Sequence, residues 1–239
     1  LRPSVLKLAN QLLLAATMAV VASGEALAQT SDNAYRAEIV LLERIVAPEN
    51  IEEQMANRLL EPLPEAPRQL MVVDAGGNAG SSLRLVPKHE MTLSRAADRL
   101  VNSGRYRVLM TAGWYQSFPP NYEGRPMQVA VGDWLGAAGM REVEGTITID
   151  RQRYLHVKVE LNHWQAVADA PAAQPAAQPT QASSGQPATI ADMAEGGEPQ
   201  PDIELLTWIR ETRRMRSEEI HFLDSPTIGV LVFFRKIEG

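Results

Sequence analysis

The chain has 239 residues, a formal net charge of −6 and no cysteine. The acidic balance excludes general nucleic-acid binding, which needs a basic surface to displace counterions. The missing cysteines exclude disulfide staples, thiol catalysis and thiolate metal sites, so the fold must be stabilised by its core.

Residues 1–28 read as a cleavable signal peptide. Arg2 and Lys7 precede the apolar run 12–22, and Ala26-Leu27-Ala28 offers the small-x-small pattern of a cleavage site. The run is shorter than the about 20 residues that a membrane span needs. The expectation is therefore a periplasmic protein, cleaved after Ala28, with no stable membrane insertion. Cleavage removes Arg2, Lys7 and Glu25 and takes the charge from −6 to −7.

Residues 35–44 form a first strand, apolar in the middle and charged at both ends. The pattern breaks from Pro48 to Pro87. Within it, Ile51, Met55 and Leu59 are spaced for a short helix over 51–60. The glycines of 74–82 make a surface loop, lacking the Lys-Ser/Thr ending of a phosphate-binding loop. Thr92 is placed to cap a helix whose apolar face is Leu93, Ala96, Ala97, Leu100 and Val101, and Gly104 ends it. Residues 106–116 are the next strand, so strand, loop, helix and strand open a split βαβ arrangement. The loop 118–126 carries Phe118 and Tyr122, which read as packing back on the domain, with sugar stacking the alternative.

Residues 142–150 and 154–161 alternate on either side of a turn at Asp150-Arg151-Gln152. Val143, Gly145, Ile147 and Ile149 face inward, as do Leu155, Val157, Val159 and Leu161. Glu142, Glu144, Thr146, Thr148 and Asp150 take the solvent side, and His156 joins Tyr154, Lys158 and Glu160 on that wet face. Residues 166–201, rich in Ala, Pro and Gln, cannot bury enough surface to order themselves and read as a disordered insertion. The insertion interrupts one domain, with 29–165 as its first part and 202–239 as its completing strands. The latter comprise 205–215, which fits strand or helix by pattern and is taken as a strand because it leads into a hairpin, and that hairpin, of 219–223 and 228–234 about Asp224-Ser225-Pro226. The apolar run 228–234 reads as a buried central strand. The fold class expected is α+β: a single antiparallel sheet of five or six strands with one main helix packed on it.

No motif signals catalysis. His89, His156, His163 and His221 form no HExxH or close cluster, and no G-x-S-x-G occurs, so no catalytic, cofactor or metal site is expected. His163, beside Trp164, borders the insertion. The distinctive cluster is Arg213-Arg214-Met215-Arg216. Strand alternation puts Arg214 and Arg216 on one face and Arg213 on the other. Two guanidinium groups about 7 Å apart can hold carboxylates bidentately. Internal pairing with Glu211, Glu218, Glu219 or Asp224 is an equal alternative. Arg213, Arg214 and Arg216, with Arg153, Tyr154, His156 and His221, are the candidate binding residues.

The runs 213–217, Glu219-x-His221-Phe222-Leu223-Asp224-x-Pro226 and 229–232 resemble the C-terminal signature of the CsiV family. Tyr106-Arg107-Val108-Leu109, with Trp114 and Gln116, and Gly145-Thr146-Ile147, with 153–157, resemble its central strands. Ser225 and Thr111 stand where histidines are usual in that pattern. The resemblance implies a non-catalytic exported protein that binds peptidoglycan and assists a penicillin-binding protein through a lipoprotein activator. An envelope protein–protein adaptor that never contacts glycan, and an envelope hydrolase, are the alternatives.

Overall fold

The computed structural model describes residues 33–46, 62–136, 138–166 and 203–237. The expected signal peptide, the helix over 51–60 and all but the first residue of the insertion lie outside them.

The described residues form two sheets rather than one. The smaller has the order β4-β1-β10-β9, built from β1 (Ala34–Arg44), β4 (Tyr106–Ser117), β9 (His221–Asp224) and β10 (Ile228–Lys236). The larger has the order β3-β2-β5-β6-β7-β8, from β2 (Arg68–Val73), β3 (Ala79–Gly80), β5 (Met127–Leu135), β6 (Met140–Arg151), β7 (Leu155–Ala166) and β8 (Ile203–Met215). Their inner faces share one core. Ile39, Leu41, Trp114, Val230 and Val232 of the small sheet pack with Val129, Ile147, Val159 and Leu161 of the large one. Each such side chain contributes roughly 1.5–3 kcal/mol when fully buried.

The single-sheet α+β expectation is thus corrected to a two-sheet, mainly β architecture. The one α-helix among the described residues, α1 (Leu93–Asn102), covers only the outer face of the small sheet. There Val40, Leu42, Leu231 and Phe233 meet Leu93 and Ala97. Strands β1 and β10 are therefore apolar on both faces because a helix covers one and a second sheet the other. The split βαβ start is also corrected, since β1 and β4 are antiparallel neighbours, with Ile39 opposite Ala112. The one parallel pair among these strands is β2 with β5.

Several local expectations match. The hairpin β9–β10 pairs Leu223 with Val230, and β6–β7 pairs Ile147 with Val159. Gly104, at φ 71°, follows α1 and donates its N–H to Val101. Phe118 is fully buried against Tyr35, Tyr122 and Phe234, so this loop aromatic belongs to the core. Others differ. Thr92 makes no capping bond; the buried Glu38 carboxylate of β1 accepts the Leu93 N–H at 2.8 Å instead. Glu142, Thr146 and Thr148 are buried rather than on the solvent side. Strand β9 begins at His221, not 219, because Glu218 adopts φ 63° in the preceding turn. Strand β5 went unread although Met127, Val129 and Val131 alternate, and all three are buried.

Candidate functional site

The β6–β7 turn carries Arg153 and Tyr154 to one end of the large sheet, beside the end of β8. Tyr154 is 41% exposed, and the Arg214 guanidinium lies 4.8 Å from its ring centroid, with that of Arg153 at 5.6 Å. Among the described residues no carboxylate pairs with Arg153 or Arg214. Arg216 joins the same group, lining with Arg151, Arg153 and Tyr154 a groove of roughly 300 Å³. Its own partner is an exposed Glu219 at 3.5 Å. Arg151, at the end of β6 rather than in the turn, is held half-buried under this groove by Asn33 Oδ1 at 2.8 Å and by the Phe118 carbonyl.

His156 lies opposite Arg214 on β8 and opposite Asp150 on β6, so it borders the group on the outer face of the sheet. Its Nδ1 is buried without a hydrogen-bond partner among the described residues. Arg213 and His221 point to other tasks. Arg213 faces the small sheet, donating from Nη1 to the Phe222 carbonyl at 2.6 Å and from Nε to Glu211 at 2.8 Å. It fastens β8 to β9. The His221 Nε2 accepts the Arg216 N–H at 3.0 Å and fixes the turn before β9. The seven predicted residues thus divide into Arg153, Tyr154 and Arg216 lining one groove, Arg214 over the Tyr154 ring with His156 beside it, and two structural side chains.

A second cluster occupies the opposite end of the sandwich, and nothing in the sequence pointed to it. Arg107 donates to Glu43 at 2.5 Å, to Glu142 at 2.6 Å and to Asp133 at 3.1 Å. Three register shifts surround these groups. Leu109 is the extra residue opposite the Leu41/Leu42 step, which turns Arg107 to the side of Glu43 and the interior. In β5 the shift between Val131 and Trp134 contains Gly132, at φ 89°, where a Cβ would lie 2.2 Å from the Glu142 Oε1. The third shift follows His163 in β7. Burial pushes the Glu142 carboxyl up to about 7, against the opposing charge of Arg107. Burial likewise holds His163 down to about 4, with Arg107 acting in the same direction. Burial acts to lower the Arg107 value, yet hydrogen bonds to Asp133 and Glu43 raise it above its usual range. Strand alternation hid Arg107 in particular, because the extra Leu109 inverts the facing that a period of two predicts.

Fold and surface together define a two-sheet β domain with an arginine–tyrosine groove at one end of its larger sheet. The sequence profile described as "Peptidoglycan-binding protein, CsiV" matches residues 8–237, nearly the whole chain, and the chain belongs to the CsiV family. No curated protein and no solved structure matches it.

Proposed function

We propose that this chain is a non-catalytic, periplasmic peptidoglycan-binding accessory protein of cell-wall assembly, acting through a lipoprotein activator of a penicillin-binding protein. The observation that carries the wall-binding reading is the exposed Tyr154 ring set between Arg153 and Arg214, two guanidinium groups without a carboxylate partner among the described residues. Guanidinium forks suit the carboxylates of stem peptides, and the Tyr154 ring orients the two forks by stacking. The family description supports the ligand class. The periplasmic location rests on the signal-like residues 1–28, and the activator on the family resemblance.

The test is co-sedimentation of the purified chain with protein-free sacculi, beside an Arg153→Ala/Arg214→Ala variant whose folding is checked by circular dichroism. Wild type is expected to pellet and the variant to remain in the supernatant. Wild type left in the supernatant would overturn wall binding and leave the protein–protein adaptor. Release of soluble muropeptides by wild type would overturn the non-catalytic role.

A further inference from the structure

We propose that Glu43, Glu142 and His163 form a binding site for one divalent transition-metal cation that bridges the two sheets. Glu43 comes from β1 of the small sheet, Glu142 and His163 from β6 and β7 of the large one. One ligating atom from each lies within 4.8 Å of the others. The three residues line a single cleft of roughly 270 Å³, which gives an ion an entry path.

The local charge calls for a cation. Glu43, Asp133 and Glu142 face the single guanidinium of Arg107, so the carboxylates outnumber that cation by two once Glu142 is ionised. Arg44, on the same cleft wall, is engaged by Asp224 at 2.9 Å. Arg107 bonds one oxygen of Glu43 and one of Glu142, in the way that outer partners orient carboxylates on a metal.

The third ligand, His163, is held from behind by a chain of hydroxyls. It is 3% exposed, and its Nδ1 lies 2.7 Å from the Thr227 hydroxyl. That hydroxyl contacts Thr207 at 2.5 Å, Thr207 contacts Ser225 at 3.0 Å, and Ser225 donates to the Ile228 carbonyl at 3.3 Å. A carbonyl can only accept. With Ser225 spending its proton there, Thr207 donates to Ser225, Thr227 donates to Thr207, and Nδ1–H of His163 donates to Thr227. A relay run in this direction leaves the Nε2 lone pair as the ligand atom, and no hydrogen bond engages Nε2 among the described residues. The indole N–H of Trp164, another wall residue, is also buried without a partner there and is available to a water on the ion. An imidazole with two carboxylates suits zinc or manganese, whose ligand bonds are about 2 Å long, better than calcium or magnesium, which favour all-oxygen shells.

The full chain, stripped with chelator, would be titrated with Zn²⁺ and Mn²⁺ by isothermal calorimetry. One equivalent of at least one ion is expected to bind and to raise the melting temperature, since an ion held only by the folded sheets stabilises them. Glu43→Gln and His163→Gln should each weaken binding at least tenfold, while His156→Ala and His221→Ala bind as wild type. Because a His163 variant can fail to fold, Mn²⁺ paramagnetic broadening in the wild-type NMR spectrum locates the ion independently; signals around Glu43, Glu142 and His163 should vanish first. No one-to-one binding below millimolar ion would overturn the site. So would undiminished binding by folded Glu43→Gln, or broadening centred elsewhere.

Discussion

Adjacent arginines in this chain do different work, and the difference is one of facing. Arg213 turns to the small sheet and bonds the Phe222 carbonyl, while Arg214 turns outward over Tyr154. Arg213→Ala is expected to cost about 1 kcal/mol of stability, the net worth of a half-exposed charge-assisted bond, without changing which ligand the groove takes. Arg214→Ala should stay within about 0.5 kcal/mol of wild type in urea unfolding, as an exposed site does, and lose sacculus binding. At the other end, Glu142 and His163 respond to pH in opposite senses in chelator-treated protein. Glu142, raised to about 7, contributes stability below its ordinary value of 4.5 that is lost as pH rises through 7. His163, lowered to about 4, contributes stability above 6.5 that is lost as pH falls through 4. Glu142→Gln is thus expected to be most costly at acid pH and least costly at neutral pH. His163→Gln should show the reverse, and denaturant midpoints measured from pH 4 to 7 would check both.

Among the elements, α1 depends on the strand beneath it. The fully buried Glu38 carboxylate holds the Leu93 N–H at the helix start and the Arg36 Nε at 2.8 Å, and Arg36 also donates to Thr92 at 3.2 Å. A carboxylate at a helix N-terminus meets unpaired N–H groups and the positive end of the dipole. Glu38→Ala leaves Arg36 buried without its counter-charge, and the expected loss is about 3 kcal/mol or more. Hydrogen exchange should show protection lost first in α1; retained α1 protection would mean that Leu93 and Ala97 hold the helix by packing alone. Thr92 was the sequence-visible cap. The actual acceptor lies 55 residues earlier in the chain, so local spacing had no access to it.

For the whole molecule, the two ends of the sandwich carry opposite character among the described residues. Arg151, Arg153, Arg214 and Arg216 gather at one end, and Glu43, Asp133 and Glu142 at the other. The net charge of −6 conceals this arrangement. Binding through the arginine end is expected to weaken as salt shortens the screening length from about 30 Å at 0.01 M to about 3 Å at 1 M. Sacculus pelleting across that range should fall for wild type and stay flat for Arg153→Ala/Arg214→Ala. A wild-type curve that is equally flat would assign the affinity to Tyr154 and apolar contact.

Local patterning by itself determined much of this protein: strands β1, β4, β6, β7 and the β9–β10 hairpin from alternation and apolar runs, the helix from its 3.6-residue period with Gly104 at its end, and the family motifs. These follow from residues within a few positions of one another. The apolar run of β10 also implied that both its faces are covered. A ten-residue helix covers only one face, but which element covers the other is a long-range choice that no local period encodes. Tertiary structure alone split the strands into two sheets and gathered Glu43, Arg107, Glu142 and His163. The place of Arg107 in that group rests on a bulge, since the inserted Leu109 inverts its facing without altering the composition of the strand.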